Sequence, residues 1–138
     1  MKTKLLLLFL FIIIKLNAQQ KIYDFTSNPN SFLKFNNSLF FEASSENTGF
    51  EIWKSDGTPE STAILQFMNA SNGSNAKRIL NTGSAILNGK LFFIAKDDKS
   101  NGEIWKTDGI NETVKITDFL RGRVEKLTTV GNSIFFLM

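Results

Sequence analysis

The chain contains no cysteine and no histidine among its 138 residues. Without cysteine it forms neither a disulfide nor a thiolate metal site, and an exported protein without disulfides is more typical of bacteria than of small secreted eukaryotic domains. Without histidine it lacks the usual general base, the base of a Ser-His-Asp triad and the commonest zinc ligand. The composition therefore argues against the most frequent hydrolase and zinc-enzyme sites.

Residues 1–18 have the composition of a secretory signal peptide. The segment begins with two lysines, continues with ten apolar residues from Leu5 to Ile14, and offers the small residue Ala18 at a cleavage point before Gln19. Ten apolar residues are too few to span a bilayer as a helix. We therefore predict a chain secreted or exported to the cell surface, with no stable membrane insertion after cleavage. A buried N-terminal helix or strand is the alternative interpretation.

The positive net charge belongs to this leader. Lys2, Lys4 and Lys15 are three of the 16 basic residues, and none of the 13 acidic residues lies in residues 1–18. The remainder of the chain has a formal net charge of zero, so its charge does not predict nucleic-acid binding.

One heptapeptide occurs twice and contains both tryptophans of the chain. Residues 51–57 read Glu-Ile-Trp-Lys-Ser-Asp-Gly, and residues 103–109, which start 52 positions later, differ only by Thr for Ser. A Leu-Phe-Phe pattern precedes each copy, at residues 39–41 and 91–93, and Ile-Phe-Phe follows at 134–136. A unit that recurs at this spacing predicts a repeat architecture.

Each unit has four short apolar stretches separated by turn residues, which predicts a four-stranded antiparallel sheet. The predicted fourth strand covers residues 62–68 in the first unit and residues 113–119 in the second. We assign the units to residues 32–68, 84–119 and, incompletely, 127–138. Residues 21–25 match residues 115–119 at four of five positions. We therefore interpret residues 21–25 as the fourth strand of a preceding unit, so that residues 19–138 form one β-repeat region.

The tryptophan strand carries large apolar groups on both faces. Alternation places Glu51, Trp53 and Ser55 on one face, and Phe50, Ile52 and Lys54 on the other. Neither face can remain in water, and stacking the sheets face to face, as the blades of a β-propeller do, buries both. The predicted fold is all-β: a partial β-propeller of about two and a half four-stranded antiparallel blades after the signal peptide. A β-sandwich competes with this architecture but does not explain why the unit recurs.

The repeated motif resembles the ELWxxDGT repeat family. The resemblance rests on Glu-Ile-Trp-Lys-Ser-Asp-Gly-Thr at 51–58 after Asn-Asn-Ser-Leu-Phe-Phe, and on the second heptapeptide after Asn-Gly-Lys-Leu-Phe-Phe. The sequence departs from the family pattern at Ile52 and Ile104, which stand in place of Leu, and at Ile110, which stands in place of the final Thr.

The resemblance covers essentially all of residues 21–138. It implies a secreted bacterial protein of the Bacteroidota type with propeller-like blades. Members of the family often carry many more repeats, so we expect this chain to be a fragment of a longer protein. The family has no established activity, and the resemblance therefore implies no catalytic residue, no cofactor and no metal ligand.

The motif residues are predicted to be structural. For the Asp-Gly pairs, turn formation competes with a ring of carboxylates for a cation or a sugar, and we favour the turn. For the tryptophans, packing between blades competes with stacking on sugar rings, and we favour packing. The residues concerned are Glu51, Trp53, Asp56, Gly57, Glu103, Trp105, Asp108 and Gly109.

These observations predict an exported, non-catalytic module that interacts with an unknown protein or a glycan at the cell surface. The alternative is a part of a propeller-type hydrolase or lyase that is active only in the complete ring. A sialidase-type Ser-x-Asp-x-Gly-x-Thr-Trp motif does not fit, because residues 55–57 lack its spacers. A third hypothesis is a remnant whose exposed blade edge favours self-association.

Overall fold

A computed structural model describes residues 21–65, 83–97, 100–119 and 123–138. These residues form three antiparallel sheets, which confirms the all-β prediction. The predicted signal peptide at 1–18 and the last residues of the predicted strand 62–68 lie outside the described residues. Within the described ranges, no helix is long and apolar enough to cross a membrane.

The first sheet contains four strands in sequence order, each antiparallel to the next. They are β1 (Asn30–Phe35), β2 (Ser38–Ser45), β3 (Thr48–Ser55) and β4 (Ala63–Ile64). The two-residue turn between β1 and β2 begins with Asn36 at a φ of 54°. Asparagine adopts this left-handed conformation more readily than most residues, so the sequence favours a tight turn here.

The second sheet repeats this arrangement. Its strands are β5 (Ser84–Leu87), β6 (Lys90–Asp97), β7 (Ser100–Thr107) and β8 (Thr113–Lys115). Asn88 and Gly89 form the turn between β5 and β6 with φ values of 49° and 67°, and two positive φ angles are what a type I′ hairpin requires. The register repeats as well, because Phe41 pairs with Trp53 and Phe93 pairs with Trp105.

The third sheet has two strands, β9 (Lys126–Val130) and β10 (Ser133–Leu137). Gly131, at a φ of 57°, begins the turn between them. Strand β10 carries the third Phe-Phe pair, with Phe135 opposite Thr128 and Phe136 opposite Leu127.

The fourth strand of the second sheet, β8, is shorter than predicted. The sequence predicts a strand over residues 113–119, whereas β8 ends at Lys115. Beyond Lys115, the hydroxyl of Thr117 and the N–H of Phe119 donate to the carboxylate of Glu103. The N–H of Ile116 still donates to the carbonyl of Ile104 at 2.8 Å, but the N–H of Ile104 donates to the hydroxyl of Thr117 at 2.8 Å and not to a backbone carbonyl. The ladder ends there, and the carboxylate of Glu103 holds the chain that follows.

Residues 21–25 contain no strand, although the sequence predicts one. The segment lies over the first sheet, where Tyr23 and Phe25 contact the ring of Trp53 at centroid distances of 4.6 and 5.0 Å. It therefore covers a sheet face and does not extend a sheet edge.

Each sheet has two faces, which we call the front face and the back face. The front face carries the second Phe of each Phe-Phe pair (Phe41, Phe93, Phe136), and the back face carries the first (Phe40, Phe92, Phe135). Trp53 and Trp105 lie on the front faces, because they pair with Phe41 and Phe93.

Successive sheets stack back face on front face. Phe35, Phe40 and Ile52 on the back of the first sheet share one buried cluster with residues of the second sheet's front face, Leu91, Phe93 and Trp105. The same cluster continues from Ile94 and Ile104, on the back of the second sheet, to Leu127 on the front of the third. The core is therefore formed by layers of side chains between the sheets. In both interfaces, the back face of one sheet packs against the front face of the next.

Candidate functional site

The tryptophan strands lead into two loops that begin with Asp-Gly, residues 56–62 and residues 108–112. These loops are longer than the two-residue hairpin that an Asp-Gly pair predicts. Asp56 Oδ1 accepts hydrogen bonds from the N–H of Thr58 at 3.0 Å, from its hydroxyl at 2.8 Å, and from the hydroxyl of Ser61. The carboxylate thus organises its own loop.

Asp108 organises the second loop through the backbone alone. Its Oδ1 accepts the N–H groups of Ile110, Asn111 and Glu112 at 2.8, 2.9 and 3.0 Å. Because the backbone supplies all three donors, the loop does not require the threonine hydroxyl that Ile110 replaces. The two Asp-Gly positions are therefore equivalent in role and different in donor chemistry.

These hydrogen bonds hold the pKa of both aspartates below the usual value. For Asp56 the largest cause is the hydroxyl of Ser61, followed by the hydroxyl of Thr58. For Asp108 it is the backbone N–H of Glu112, followed by those of Ile110 and Asn111. Donors to a carboxylate favour its charged form. Both groups stay ionised near neutral pH, where a general acid needs a raised pKa.

A cluster of two acids and two bases surrounds the second loop. Glu112 lies 3.1 Å from Lys106 Nζ and 3.3 Å from Lys90 Nζ, and Asp108 lies 3.7 Å from Lys90 Nζ. Hydrogen bonds from Lys106 and then from Lys90 lower the pKa of Glu112. The repeat does not reveal this cluster, because Ser38 stands in the first unit at the position of Lys90.

The two motif glutamates are buried on the front faces, Glu51 at 0% and Glu103 at 1% exposure. Glu103 accepts the hydroxyl of Thr117 at 2.5 Å and the N–H of Phe119 at 2.9 Å. Its carboxylate therefore fixes the chain that follows β8, a structural role that the position of Glu103 next to Trp105 does not disclose in the sequence.

Both tryptophans lie in packed interior, at 2% and 8% exposure. The indole N–H of Trp53 donates to the carbonyl of Ala43 at 3.0 Å. Trp105 is buried in the cluster that joins the sheets, and its indole N–H has no acceptor in the described part of the chain. Neither indole presents a face to solvent on which a sugar ring would stack.

A cleft of about 640 Å³, which we call the front cleft, opens on the front face of the first sheet. Tyr23, Phe32 and Leu39 line it and are 40, 55 and 40% exposed. Asp56 and Gly57 line it as well. The sequence does not predict the cleft as a site, because it forms only when residues 21–25 lie over the sheet.

The similarity between residues 21–25 and 115–119 extends to their contacts. Lys21 pairs with Asp24 as Lys115 pairs with Asp118, the latter at 3.0 Å. Phe25 contacts Phe41 at a ring-centroid distance of 5.5 Å, and Phe119 contacts Phe136 at 5.9 Å. Each segment thus places its phenylalanine on the front-face phenylalanine of the sheet that follows, and this repeat was the signal from which the cleft could have been found.

The structure brings the motif residues into two different surroundings. Trp105 and Gly109 lie at the contact between the first two sheets, whereas Gly57 borders the front cleft. Across residues 21–65, 83–97, 100–119 and 123–138, no group of three or more acidic, cysteine or histidine side chains is placed to hold a metal ion. Comparison with known proteins gives no matching family model, curated protein or solved structure.

Proposed function

We propose that the chain is part of an exported, non-catalytic β-propeller module of the ELWxxDGT repeat type that interacts with a protein or a glycan at the bacterial cell surface. The observation that carries the proposal is the stacking of repeated sheets, always back face on front face. Propeller blades are repeated four-stranded sheets arranged around an axis, and stacking in one sense is what such an arrangement needs.

The engagement of the motif carboxylates supports a non-catalytic role. Asp56 and Asp108 accept hydrogen bonds from their own loops, and Glu103 accepts two from the segment after β8. A propeller-type hydrolase or lyase requires a carboxylate that can exchange a proton with its substrate. These three carboxylates are instead committed to holding backbone.

The loops after the tryptophan strands are the surface we assign to binding. Thr58, Pro59 and Glu60 are exposed in the first loop, and Ile110 and Asn111 are exposed in the second. Because each aspartate fixes its loop from within, the outward side chains are held in place before a partner arrives. Such preorganisation lowers the entropic cost of binding, and loops on a rigid scaffold commonly carry function.

Binding is tested with protein expressed from the full coding sequence and applied to an array of bacterial surface and mucin-type glycans and to intact bacterial cells. We expect saturable binding that the double change Ile110→Ala and Asn111→Ala weakens. Glu125→Ala, an exposed change outside both loops, serves as the matched control. Cleavage of an arrayed glycan would favour the hydrolase alternative, and equal binding by the loop variant would exclude the loops as the surface.

Export is tested separately by expression in a Gram-negative host. We expect the protein outside the cytoplasm with Gln19 as its first residue, and retention in the cytoplasm when Leu8→Arg interrupts the apolar run. An uncleaved wild-type chain in the cytoplasm would contradict the proposal.

A further inference from the structure

The front face of the second sheet receives two aromatic side chains of the first. A Cβ placed on Gly109 would lie 3.2 Å from Phe40 Cζ and 3.3 Å from Phe35 Cε1. Lys54 Nζ also donates to the carbonyl of Gly109 at 2.6 Å. Leu91, on the same face, is fully buried in the cluster that contains both rings. We call this surface, formed by Leu91 and Gly109, the aromatic seat.

The first sheet presents the two equivalent residues to solvent. Leu39 and Gly57 occupy the positions of Leu91 and Gly109 in the repeat. Leu39 is 40% exposed, and a Cβ on Gly57 would meet no atom within 4 Å. Both residues line the front cleft. The cleft therefore contains a second aromatic seat, built from the same residue types and open.

The third sheet presents the complementary surface. Val130 and Phe135 occupy the positions of Phe35 and Phe40, and they are 59 and 57% exposed. Val130 pairs with Ser133 across the turn, as Phe35 pairs with Ser38. Leu137, on the same back face, is 61% exposed. The three apolar residues share this face with their pairing partners Ser133, Thr128 and Lys126. Clustered exposed apolar side chains mark an interaction surface.

We propose that the front cleft of one copy receives the back face of the third sheet of a second copy. Phe135 and Val130 of the second copy then take the places that Phe40 and Phe35 take on the second sheet. The argument is continuity with the interface between the first and second sheets, which the same residue types already form within the chain. The contact joins two different surfaces, so it is head to tail, and such contacts extend into rings or filaments.

The experiment is sedimentation velocity on residues 19–138, the chain that carries both surfaces, with one variant for each surface. Leu39→Asp places a charge in the cleft, and Phe135→Asp places one on the back face. We expect the wild type to form dimers and longer species as concentration rises, and each variant to raise the dissociation constant about tenfold or more, as changes at interface centres do. An equimolar mixture of the two variants is expected to form a one-to-one dimer and nothing longer, because only one intact cleft and one intact back face remain.

The matched control is Ile116→Asp, the same change at an apolar residue that is 46% exposed and lies outside both surfaces and outside the two binding loops. It should leave association unchanged. A wild type that stays monomeric, or association that neither surface variant alters, would overturn the proposal. Failure of the mixture to form the dimer would also overturn it, because the contact would then not be head to tail. Should an aspartate variant lose its β-sheet circular dichroism, Leu39→Ser and Phe135→Ser replace the pair.

Discussion

The single difference between the two heptapeptides, Ser55 against Thr107, lies at a hydroxyl with a defined task. Ser55 accepts the N–H of Gly57 at 3.0 Å, and Thr107 accepts that of Gly109 at 2.9 Å. Either residue supplies the oxygen, so the exchange keeps this hydrogen bond. At the scale of the residue, this position of the repeat therefore requires a hydroxyl oxygen that either Ser or Thr supplies.

The two tryptophans differ in whether the indole N–H has a hydrogen-bond acceptor, and a pair of substitutions tests this difference. Trp53→Phe removes the hydrogen bond to Ala43, whereas Trp105→Phe removes an indole N–H that is buried without an acceptor in the described chain. We expect Trp53→Phe to lower the free energy of unfolding by about 1 kcal/mol more than Trp105→Phe. Urea unfolding of both variants checks this, and equal losses would contradict it.

The contribution of the Asp108 carboxylate to the stability of the fold should depend on pH. Its pKa is lowered in the folded chain from the ordinary value of 3.8 by the loop N–H groups. The charged carboxylate therefore stabilises the fold above the unfolded-state pKa, and this contribution is lost as the pH falls below about 4 toward the folded-state pKa. Asp108→Ala should lower the melting temperature at neutral pH, and the difference from wild type should narrow in acid.

The control for this measurement is Asp118→Ala, because Asp118 is 81% exposed and forms one surface ion pair with Lys115. Such pairs contribute little to stability, so its melting temperature should stay close to wild type throughout. A difference between Asp108→Ala and wild type that is constant from neutral pH to about pH 2 would show that the carboxylate does not act through its charge.

At the scale of the element, local patterns predict the strands well where the backbone pairs with its neighbour. Strands β5 and β6 and the Asn88-Gly89 turn follow from alternation and turn chemistry. The early end of β8 does not, because it depends on the hydroxyl of Thr117, which accepts the N–H of Ile104 13 residues earlier. Residues 21–25 likewise carry a strand pattern, yet whether they pair or cover a face depends on neighbours distant in sequence. The front cleft was not predicted for that reason, although the match of residues 21–25 to residues 115–119 was a sequence signal that pointed to it.

The role of Glu103 in holding the chain after β8 is testable. Glu103→Ala removes the acceptor of Thr117 and Phe119 in a buried position and should lower the free energy of unfolding by about 2–3 kcal/mol. Glu103→Gln keeps one acceptor oxygen and should cost about 1 kcal/mol. Hydrogen exchange at the Phe119 amide should rise in the alanine variant. Unchanged exchange would mean that another group holds the segment.

At the scale of the whole molecule, the direction of stacking determines which surfaces are covered. The back face of the first sheet and the front face of the second are buried against each other, while the front cleft and the back face of the third sheet are open to solvent. Equivalent residues thus have different surroundings according to their position in the stack. The repeated sequence does not show which of the equivalent faces is buried and which is exposed. Only the folded chain shows this difference.

Alanine substitutions at two equivalent glycines test whether the first two sheets pack against each other. Gly57 and Gly109 have φ values of 101° and 79°, so alanine at either position carries a similar backbone penalty of about 1 kcal/mol. Only Gly109 has the rings of Phe35 and Phe40 within 3.4 Å of a new Cβ. Gly109→Ala should therefore lower the free energy of unfolding by about 1–2 kcal/mol more than Gly57→Ala, because it overpacks the contact between sheets. The measurement is urea unfolding at a concentration low enough to keep the chain monomeric, and equal losses would mean that the two sheets do not pack through this glycine.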